Sequence, residues 1–447
     1  MRRVTIGALT ISLSLGVAIP LSAHLVSEST GTDPVHTLTP PTEVGLSTEK
    51  LEETRRVIES MILANAAPGA AIAIGRGPAI VLEEGFGRIG WSNQTDRVDP
   101  DETIYDLASL TKVVATTAVA MSLYEEGLLD LDARVTDHLD SFPYEEITFR
   151  HLLTHTSGLP AGIAHHRLSS AETERRVREA PLRHSPGSEV VYSDIGFINL
   201  WYALEEITGE PLPELLDRRI YGPLGMRSTS FQPGAGCKRC APTKLLKSGR
   251  MVRGIVHDPL AEKLGGVAGH AGLFSTAHDL ARFAAMLAAG GELDGVRIFQ
   301  EETIDLFTRA QPGAESRALG WDTPSLDPEK REDSTVQSFS TRAFGHYGFT
   351  GTSLWIDPES GLWVVVLTNR VYAPRAPNAI RELRRTIHDY LALAVESDPP
   401  TAPALYTTGG TPLPAILEPP ATGAPHPVTT ATEGTEVEIP SRDRPTP

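Results

Sequence analysis

The sequence predicts an α+β fold, in which an antiparallel sheet flanked by helices lies beside an all-helical subdomain. Two groups of elements support this prediction. Early in the chain, a helical pattern at 48–63 precedes a β-hairpin at 70–82, and late in the chain a hairpin at 353–368 precedes a helical pattern at 378–395. The long segment between the two groups is mostly helical. Strands that flank a helical insertion favour one sheet covered by helices, with a separate helical part beside it.

The first helix is predicted from apolar residues that recur at helical spacing. They are Leu51, Val57, Ile58, Met61 and Ile62. Ser47 stands where a helix cap is expected, and Pro68 with Gly69 ends the helix. The two strands that follow, 70–74 and 79–82, are separated by a turn sequence of glycine, arginine and proline.

The second hairpin has strands at 353–356 and 362–368, joined by a turn at 357–361 that contains aspartate, proline and glycine. The apolar residues of the next segment, 378–395, return to helical spacing. No internal repeat or second linker interrupts the range 46–397. We therefore expect that range to form one folded body, which contains both the sheet and the helical subdomain.

Charge and cysteine content exclude several classes of protein. The 447 residues include 40 Lys and Arg against 57 Asp and Glu, which gives a net charge of −17. A nucleic-acid-binding surface needs clustered basic residues, so nucleic acid is not expected as a partner. Cys237 and Cys240 form either a local disulfide or a pair of thiols. Together with His165 and His166 they match no regular zinc spacing, so we expect no metal and no cofactor.

The two ends of the chain differ in composition from the body. Residues 1–23 begin with two arginines after the first Met, continue with an apolar stretch and end in Ser-Ala. This pattern predicts a signal peptide cleaved near Ala23 and export to the periplasm or the extracellular space. The alternative is an uncleaved anchor, which would be the only membrane contact. Residues 24–45 are predicted to be a flexible linker, and residues 398–447, rich in proline and threonine, a disordered tail.

Ser109 and Lys112 form the candidate catalytic pair. Residues three apart on a helix share one face, so the lysine amine lies within hydrogen-bond reach of the serine hydroxyl. The helix that follows is apolar on nearly every side and therefore buried. Since burial disfavours the ammonium form, we expect the pKa of Lys112 to fall, which would make it a base for Ser109. The S-x-x-K pattern alone is weak, because it also occurs at 47–50.

Four motifs together resemble those of a known family. They are Ser-Leu-Thr-Lys at 109–112, Phe-Arg-His-Leu-Leu-Thr-His-Thr-Ser-Gly-Leu-Pro at 149–160, Tyr-Ser-Asp at 192–194 and His-Tyr-Gly-Phe-Thr-Gly at 346–351. From 51 to 393, the chain resembles the serine hydrolases related to class C β-lactamases, penicillin-binding DD-peptidases and the esterases of the same fold. The segment 256–276 is similar to that of penicillin-binding protein 4B-like and exported muramyl-amidase-like members. The resemblance implies a class C β-lactamase-like, DD-peptidase-like fold.

The resemblance also implies roles for individual residues. Ser109 is the nucleophile that is acylated, and Lys112 accepts its proton. Tyr192 matches the tyrosine that passes a proton to the leaving group and helps activate the deacylating water. Because a phenol is ordinarily a weak acid, this role needs a cationic neighbour, and we expect Lys112 to be that neighbour. The backbone N–H groups of Ser109 and Phe349 are expected to form the oxyanion hole.

Two candidate substrate-binding residues depart from the family pattern. Asp194 stands where Asn is frequent, and it either orients Lys112, receives a substrate amine or hydroxyl, or makes a purely structural hydrogen bond. His346 replaces the lysine of a Lys-Thr-Gly motif, which reads His-Tyr-Gly here, and Gly348, the glycine of that motif, is the third candidate substrate-binding residue. Histidine is mostly neutral above about pH 7, so recognition of a substrate carboxylate should be weaker and should fall between about pH 5.5 and 7.5.

Other histidines near the motifs are less informative. His151 and His155 are interpreted as structural. His257, Asp258 and His270 either line the cleft or support it. None of these residues belongs to a nucleophile elbow or to a metalloprotease or nucleotide-binding motif, because the patterns G-x-S-x-G, H-E-x-x-H and the Walker loop do not occur in the sequence.

The sequence thus predicts an exported, cofactor-free serine hydrolase that works through a Ser109 acyl-enzyme. The expected substrate is a small molecule or a peptide, and an amide of a cell-wall-derived peptide, cut by a muropeptide amidase or D-peptidase, ranks first. A carboxylic ester ranks second and a β-lactam third. The alternative from another class is a catalytically silent protein that binds peptidoglycan.

Overall fold

The computed structural model describes residues 37–396, except 141, 315, 333, 377 and 378. The predicted signal peptide or anchor, the first part of the linker and the proline-rich tail lie outside the described residues. Within the described range, no helix combines the length and the apolar character needed to cross a bilayer.

Twelve helices and twelve strands are formed by the described residues, in addition to short 3₁₀ and π-helical turns. The helices are α1 (Thr48–Leu63), α2 (Ala118–Glu125), α3 (Phe149–Leu153), α4 (Ser170–Arg178), α5 (Asp194–Thr208), α6 (Leu212–Leu216), α7 (Gly222–Leu224), α8 (Pro259–Lys263), α9 (Ala277–Ala288), α10 (Glu301–Thr308), α11 (Pro328–Glu332) and α12 (Ala379–Ala392). The strands are β1 (Gly69–Arg76), β2 (Ala79–Gly87), β3 (Tyr105–Asp106), β4 (Ser230–Phe231), β5 (Lys244–Leu245), β6 (Met251–Val252), β7 (Leu273–Ser275), β8 (Glu292–Leu293), β9 (Val296–Arg297), β10 (Phe344–Tyr347), β11 (Ser353–Ile356) and β12 (Leu362–Thr368).

The main sheet has five antiparallel strands in the order β10-β11-β12-β1-β2. Both predicted hairpins are present, and the strands of the first one extend beyond their predicted ends. β12 pairs with β1 over its whole length, for example Val366 with Ile72. Every residue of β1 and β12 is buried, as expected for central strands that are covered on both faces.

One face of the sheet is covered by α1 and α12. Ser47 caps α1 by accepting a hydrogen bond from the Lys50 amide, as predicted. The apolar face of α1 packs into a core formed with the sheet and α12. The first and last residues of this layer also meet, because Leu46 forms a β-bridge with Val395 and Glu396 donates to the carbonyl oxygen of Gly45 at 3.0 Å.

The other face of the sheet is covered by α9, whose buried side chains continue into the core of the helical part. That core joins residues of α2, α3, α5, α6 and α10. A second, three-stranded sheet in the order β3-β7-β4 lies near this helical part and leads into Ser109. The α+β prediction, with a sheet flanked by helices beside a helical subdomain, is confirmed.

The linker prediction is wrong for residues 37–45, which are part of the folded body. Pro41–Val44 form a 3₁₀ turn, and the amide of Thr39 donates to the carbonyl oxygen of Ile80 at 2.8 Å. The guanidinium of Arg76 donates to the carbonyl oxygen of Val44 at 2.8 Å. Proline and threonine content led to the linker prediction, but these long-range backbone contacts outweigh the local composition.

Cys237 and Cys240 form a disulfide, which resolves the alternative left open by the sequence. The loop they close lies against the strand that precedes the candidate nucleophile. Ile104 donates to the carbonyl oxygen of Arg239 at 3.1 Å and accepts from the amide of Ala241 at 2.8 Å. The disulfide loop therefore supports the start of β3.

Candidate active site

Ser109 lies in a short 3₁₀ turn, Ala108–Leu110, which follows β3. Lys112 then begins a π-helical turn, Lys112–Thr117, that runs into α2. The segment is therefore not the regular helix that the sequence predicts, although the pair still meets because residues i and i+3 eclipse in a 3₁₀ turn. Ala108 has φ of 49°, which is uncommon for a residue other than glycine and marks local strain beside the serine.

Lys112 is fully buried, and its amine has three hydrogen-bond acceptors. Its Nζ lies 3.2 Å from Ser109 Oγ, 2.7 Å from Asp194 Oδ1 and 3.1 Å from the carbonyl oxygen of His270. An ammonium has three N–H donors, so every donor is used. This geometry fixes the amine beside the serine hydroxyl.

The pKa of Lys112 departs from its ordinary value in the direction opposite to the one expected. Burial alone would lower it, but the negative charge of Asp194 and the neighbouring Tyr192 outweigh burial, so the pKa of Lys112 is raised. The expectation of a lowered pKa is therefore wrong. The resting site holds an ammonium, and the neutral amine needed for a base becomes more abundant as pH rises.

Asp194 is the first residue of α5, whose cap is Ser193. The Ser193 hydroxyl accepts the Gly196 amide at 2.9 Å and thereby fixes the start of this helix. The side chain of Asp194 is 30% exposed and points its Oδ1 at Lys112. This contact matches the alternative in which Asp194 orients Lys112, and the role of Asp194 toward a substrate stays a prediction.

Tyr192 lies beside two cations, immediately before the α5 cap. Lys112 Nζ is 4.7 Å from the centre of its ring, and the guanidinium carbon of Arg317 is 5.3 Å from it. The imidazole of His155, 4.5 Å away, accepts the Ser193 amide through Nδ1 at 3.0 Å. Burial, with the charges of Arg317 and Lys112, holds the pKa of His155 well below its usual range, so the ring stays a neutral acceptor that positions this loop.

His346 lies on β10 and is only 2% exposed. Its Nδ1 donates to the carbonyl oxygen of Tyr347 at 2.9 Å, and its ring centre is 5.9 Å from that of Tyr192. Burial, together with the charges of Lys112 and Arg317, keeps the pKa of His346 well below its ordinary value. The imidazole is therefore neutral near pH 7, and the titration expected between pH 5.5 and 7.5 does not fit this environment.

Gly348 brings the segment after β10 against the backbone that leads to Ser109. A Cβ at this glycine would lie 2.4 Å from the carbonyl oxygen of Leu107. Two neighbouring threonines also bond to this backbone: Thr350 Oγ1 donates to the Asp106 carbonyl oxygen at 2.7 Å, and Thr352 Oγ1 to that of Leu107 at 2.8 Å.

Phe349 lies between these anchored residues, and so the two segments that carry the predicted oxyanion-hole amides are tied together. The roles of Ser109 and Phe349 as amide donors to an oxyanion remain predictions. The site residues Ser109, Lys112, Tyr192, Asp194 and His346 lie within one continuous set of contacts.

Asp258 and His270 form the wall behind Lys112. His270 Nε2 lies 3.0 Å from Asp258 Oδ1, and its carbonyl oxygen accepts from Lys112. Burial opposes the charge on Asp258, yet hydrogen bonds from His270 and two backbone amides keep the pKa of this carboxyl below its usual range. Ligand atoms of Asp194, Asp258 and His270 lie within 4.8 Å of one another, and the Lys112 ammonium already occupies the side of this cluster next to Asp194.

Comparison with known proteins identifies the family. The family model described as Beta-lactamase matches residues 54–387. The chain belongs to the β-lactamase family. It is 31% identical over 385 residues to a protein of Salmonella typhimurium named "Putative D-alanyl-D-alanine carboxypeptidase", and this match covers 77% of the chain and 88% of that relative. A protein of Salmonella heidelberg with the same name matches with the same identity and coverage.

Solved structures share the fold of this β-lactamase-family chain. EstCE1, described as a hydrolase with promiscuous acyltransferase activity, superposes with a TM-score of 0.60 at 23% identity, covering 75% of the chain and 99% of EstCE1. An octameric penicillin-binding protein homologue from Pyrococcus abyssi gives 0.58 at 26% identity, covering 74% and 75%. Simvastatin synthase (LovD) from Aspergillus terreus gives 0.57 at 23% identity, covering 77% and 98%. The predicted superfamily and the class of enzyme, a serine hydrolase, are confirmed.

Sequence reasoning missed several side chains of this β-lactamase-family site. Arg317 forms an ion pair with Asp322 and also faces Tyr192, and the guanidinium of Arg370 lies 5.0 Å from the ring of Phe349. Arg317 lies in an irregular segment with no motif to mark it. Arg370 offered a weak sequence signal, because it is a charged residue placed two positions after the buried strand β12.

Proposed function

We propose that the protein is an exported hydrolase that cleaves an amide bond in a cell-wall-derived peptide through a Ser109 acyl-enzyme. The observation that carries this proposal is the 3.2 Å contact between Lys112 Nζ and Ser109 Oγ, in a site where Lys112 is held by two further acceptors. Ser109 itself is partly exposed, so a substrate can reach it. The composition of residues 1–23 supports export.

Acylation follows from the arrangement of the side chains. Only the fraction of the protein in which Lys112 is a neutral amine is active. This amine takes the hydroxyl proton of Ser109 as Ser109 Oγ attacks the substrate carbonyl carbon. The amides of Ser109 and Phe349 stabilise the resulting oxyanion. Tyr192 passes a proton to the departing nitrogen, the carbon–nitrogen bond breaks, and Lys112 replaces the proton on Tyr192. Both side chains return to their starting states.

Deacylation uses the same groups with water in place of Ser109. Water attacks the acyl carbon while Tyr192 and Lys112 accept its proton, and the ester bond to Ser109 breaks. Cleavage of this bond releases a carboxylic acid, and the Tyr192–Lys112 pair returns the proton to the serine oxygen. Proximity of these groups to the reacting atom lowers the barrier relative to reaction in solution.

The names of the Salmonella relatives and the neutral state of His346 support the ranking of substrates. The Salmonella relatives carry the name of a peptidase that acts on D-alanyl-D-alanine, which favours cell-wall peptides. His346 is neutral and buried, so it supplies no cation for a carboxylate next to the scissile bond. Neutral His346 also favours the second candidate, hydrolysis of a carboxylic ester, and leaves β-lactams third.

The decisive experiment compares the wild-type chain with Ser109→Ala after treatment with a fluorophosphonate. We expect one adduct by intact mass on the wild type and none on Ser109→Ala. Muropeptides are then incubated with both proteins and analysed by liquid chromatography and mass spectrometry, and loss of one peptide bond is expected with the wild type alone. An unlabelled wild-type protein that still binds peptidoglycan in a pull-down would instead establish a silent binding protein.

A further inference from the structure

An exposed aromatic ring lies in the segment that follows β10 and is tied to the backbone before Ser109. This ring belongs to Phe349, which is 63% exposed. The imidazole of His257 stacks on it, with ring centres 5.7 Å apart and planes inclined by 25°. The guanidinium carbon of Arg370 lies 5.0 Å from its centre. We call these three side chains the Phe349 platform.

The platform is attached to the segment that carries Ser109. The amide of His257 donates to Asp106 Oδ2 at 2.6 Å, and the hydroxyl of Thr350 donates to the Asp106 carbonyl oxygen at 2.7 Å. The amide of Arg370 donates to the carbonyl oxygen of Thr350 at 3.0 Å. His257 is therefore tied to Asp106, three positions before Ser109, by one hydrogen bond, and Arg370 by two through Thr350. Phe349 is tied there through its chain neighbour Thr350.

Within residues 37–396 as described, the charge of Arg370 has no carboxylate counter-ion. Its side chain is half-buried, its Nε is buried without a hydrogen-bond partner, and among the described residues no carboxylate forms an ion pair with it. Because the guanidinium is partly withdrawn from water, the pKa of Arg370 is lowered. A partly desolvated cation is costly unless an anion accompanies it.

The charged groups near Lys112 are already paired. Asp194 bonds to the Lys112 ammonium and Asp258 to the His270 ring, and the Asp258 charge also acts on His257. Burial is the largest cause that lowers the pKa of His257, and the charges of Lys244 and Arg370 add to it against the opposing charge of Asp258. The ring is therefore neutral near pH 7 and contributes a flat surface rather than a charge. Arg370 is a cation that packs directly against the Phe349 ring, where an anionic substrate group beside this ring would meet it.

We propose that the Phe349 platform binds a substrate group that combines a carboxylate with an apolar or planar part. The carboxylate pairs with the guanidinium of Arg370, and the apolar part covers the exposed face of Phe349. This inference rests on the proposed function and refines its substrate class. The anionic group of the substrate is bound by Arg370 rather than by the neutral His346.

Direct binding tests the platform without requiring turnover. The matched probes are phenylacetate and phenylacetamide, which differ in charge but share the ring, and their dissociation constants are measured on the full chain by NMR titration. The wild type should bind phenylacetate about tenfold more tightly than phenylacetamide. Arg370→Gln should remove this preference, Arg370→Lys should restore part of it, and Phe349→Ala should weaken both probes.

Arg375→Gln is the matched control. Arg375 lies in the same loop, and its guanidinium packs 4.3 Å from the ring of Trp91, on an exposed part of the surface. This variant should keep the preference for phenylacetate. Equal affinity of the wild type for the two probes, or the same loss in Arg375→Gln as in Arg370→Gln, would overturn the proposal.

Kinetics with paired esters give a second readout. The p-nitrophenyl monoester of glutaric acid carries a carboxylate, and p-nitrophenyl pentanoate is its neutral counterpart. Arg370→Gln should raise the ratio of the two KM values, anionic over neutral, by about tenfold, with the kcat ratio unchanged. An unchanged KM ratio contradicts the platform. A wild type that neither hydrolyses the esters nor reacts with fluorophosphonate contradicts the proposed function instead, and the phenylacetate titration still decides the platform.

Discussion

The amine of Lys112 lies 2.7 Å from Oδ1 of Asp194, nearer than the 3.2 Å that separates it from Ser109 Oγ. The lysine therefore has its strongest partner in a carboxylate rather than in the candidate nucleophile. Asp194 is also one of the two residues that depart from the motifs of the resembled family, which frequently have asparagine there. The charge state of Lys112 therefore depends on a residue that distinguishes this chain. The pH range of activity should follow from that departure.

Replacing Asp194 by asparagine should move the pH dependence of activity. The pKa of Lys112 is raised, with the Asp194 charge as its main raising cause, so removing the charge lowers that pKa and makes the neutral amine available at lower pH. The rising limb of kcat/KM against pH should shift to lower pH in Asp194→Asn. Asp132→Asn, which removes an exposed carboxylate paired with Arg150, should leave the limb in place. An unmoved limb in Asp194→Asn would show that Lys112 is not the titrating base.

The side chain of His346 should remain neutral across the physiological range. Its pKa lies well below the ordinary value because of burial and two nearby cations, so protonation requires acid well below pH 6.5. Histidine Cε1 resonances, followed by NMR and assigned with His346→Gln, should show no titration of His346 between pH 5.5 and 8. His278 is the internal contrast, because its hydrogen bond to Glu83 raises its pKa. A midpoint for His346 near 6.5 would contradict its neutral state.

Gly348→Ala should damage the site far more than an ordinary glycine substitution. The added Cβ would lie 1.9 Å from Thr352 Oγ1 and 2.4 Å from the Leu107 carbonyl oxygen, so β10 must move away from the serine segment. We expect kcat/KM to fall at least 100-fold and the free energy of unfolding to fall by about 1–3 kcal/mol. Gly162→Ala, where a Cβ meets no atom within 4 Å, is the control for both measurements. Equal effects of the two substitutions would show that the close approach at Gly348 is not required.

Removal of the disulfide should weaken the body without abolishing activity. The loop between Cys237 and Cys240 is short, so loop-closure entropy alone predicts a loss of about 2 kcal/mol in the free energy of unfolding. The double variant Cys237→Ser, Cys240→Ser is compared with the wild type by urea denaturation. Activity should fall no more than about threefold, because Ile104 keeps its two backbone hydrogen bonds to the loop. An unchanged free energy of unfolding would mean that the loop is held by its other contacts.

Local patterns predicted the elements at both ends of the body well. The capped helix α1 and the hairpin of β11 and β12 have the predicted bounds, because helical spacing, a cap and a turn sequence all act within a few residues. The pairing of β1 with β12 joins residues almost 300 positions apart, such as Ala70 and Thr368, and no local pattern encodes that register.

The chemistry of the site was predictable only in part, because it too depends on contacts between residues that are distant in the sequence. Family resemblance placed Ser109, Lys112 and Tyr192 in one site, and the structure brings them together. The direction of the Lys112 pKa was wrong because burial was considered without its partner Asp194, 82 positions later. Arg370 was missed because a single arginine after a strand carries no sequence signal, and only the structure shows that its buried Nε has no hydrogen-bond partner among the described residues.

Backbone contacts join Leu46 to Val395 and Gly45 to Glu396, and they bear on the order in which the elements follow one another along the chain. The beginning and the end of the body are neighbours, so its elements could follow one another in a different order without changing any contact between them. A circularly permuted chain, with a linker from Glu396 to Thr37 and new ends in the exposed turn at 247–249, should therefore still build the sheet. In that chain the segment that carries His346 would be synthesised first and the segment that carries Ser109 second, with the joined native ends between them.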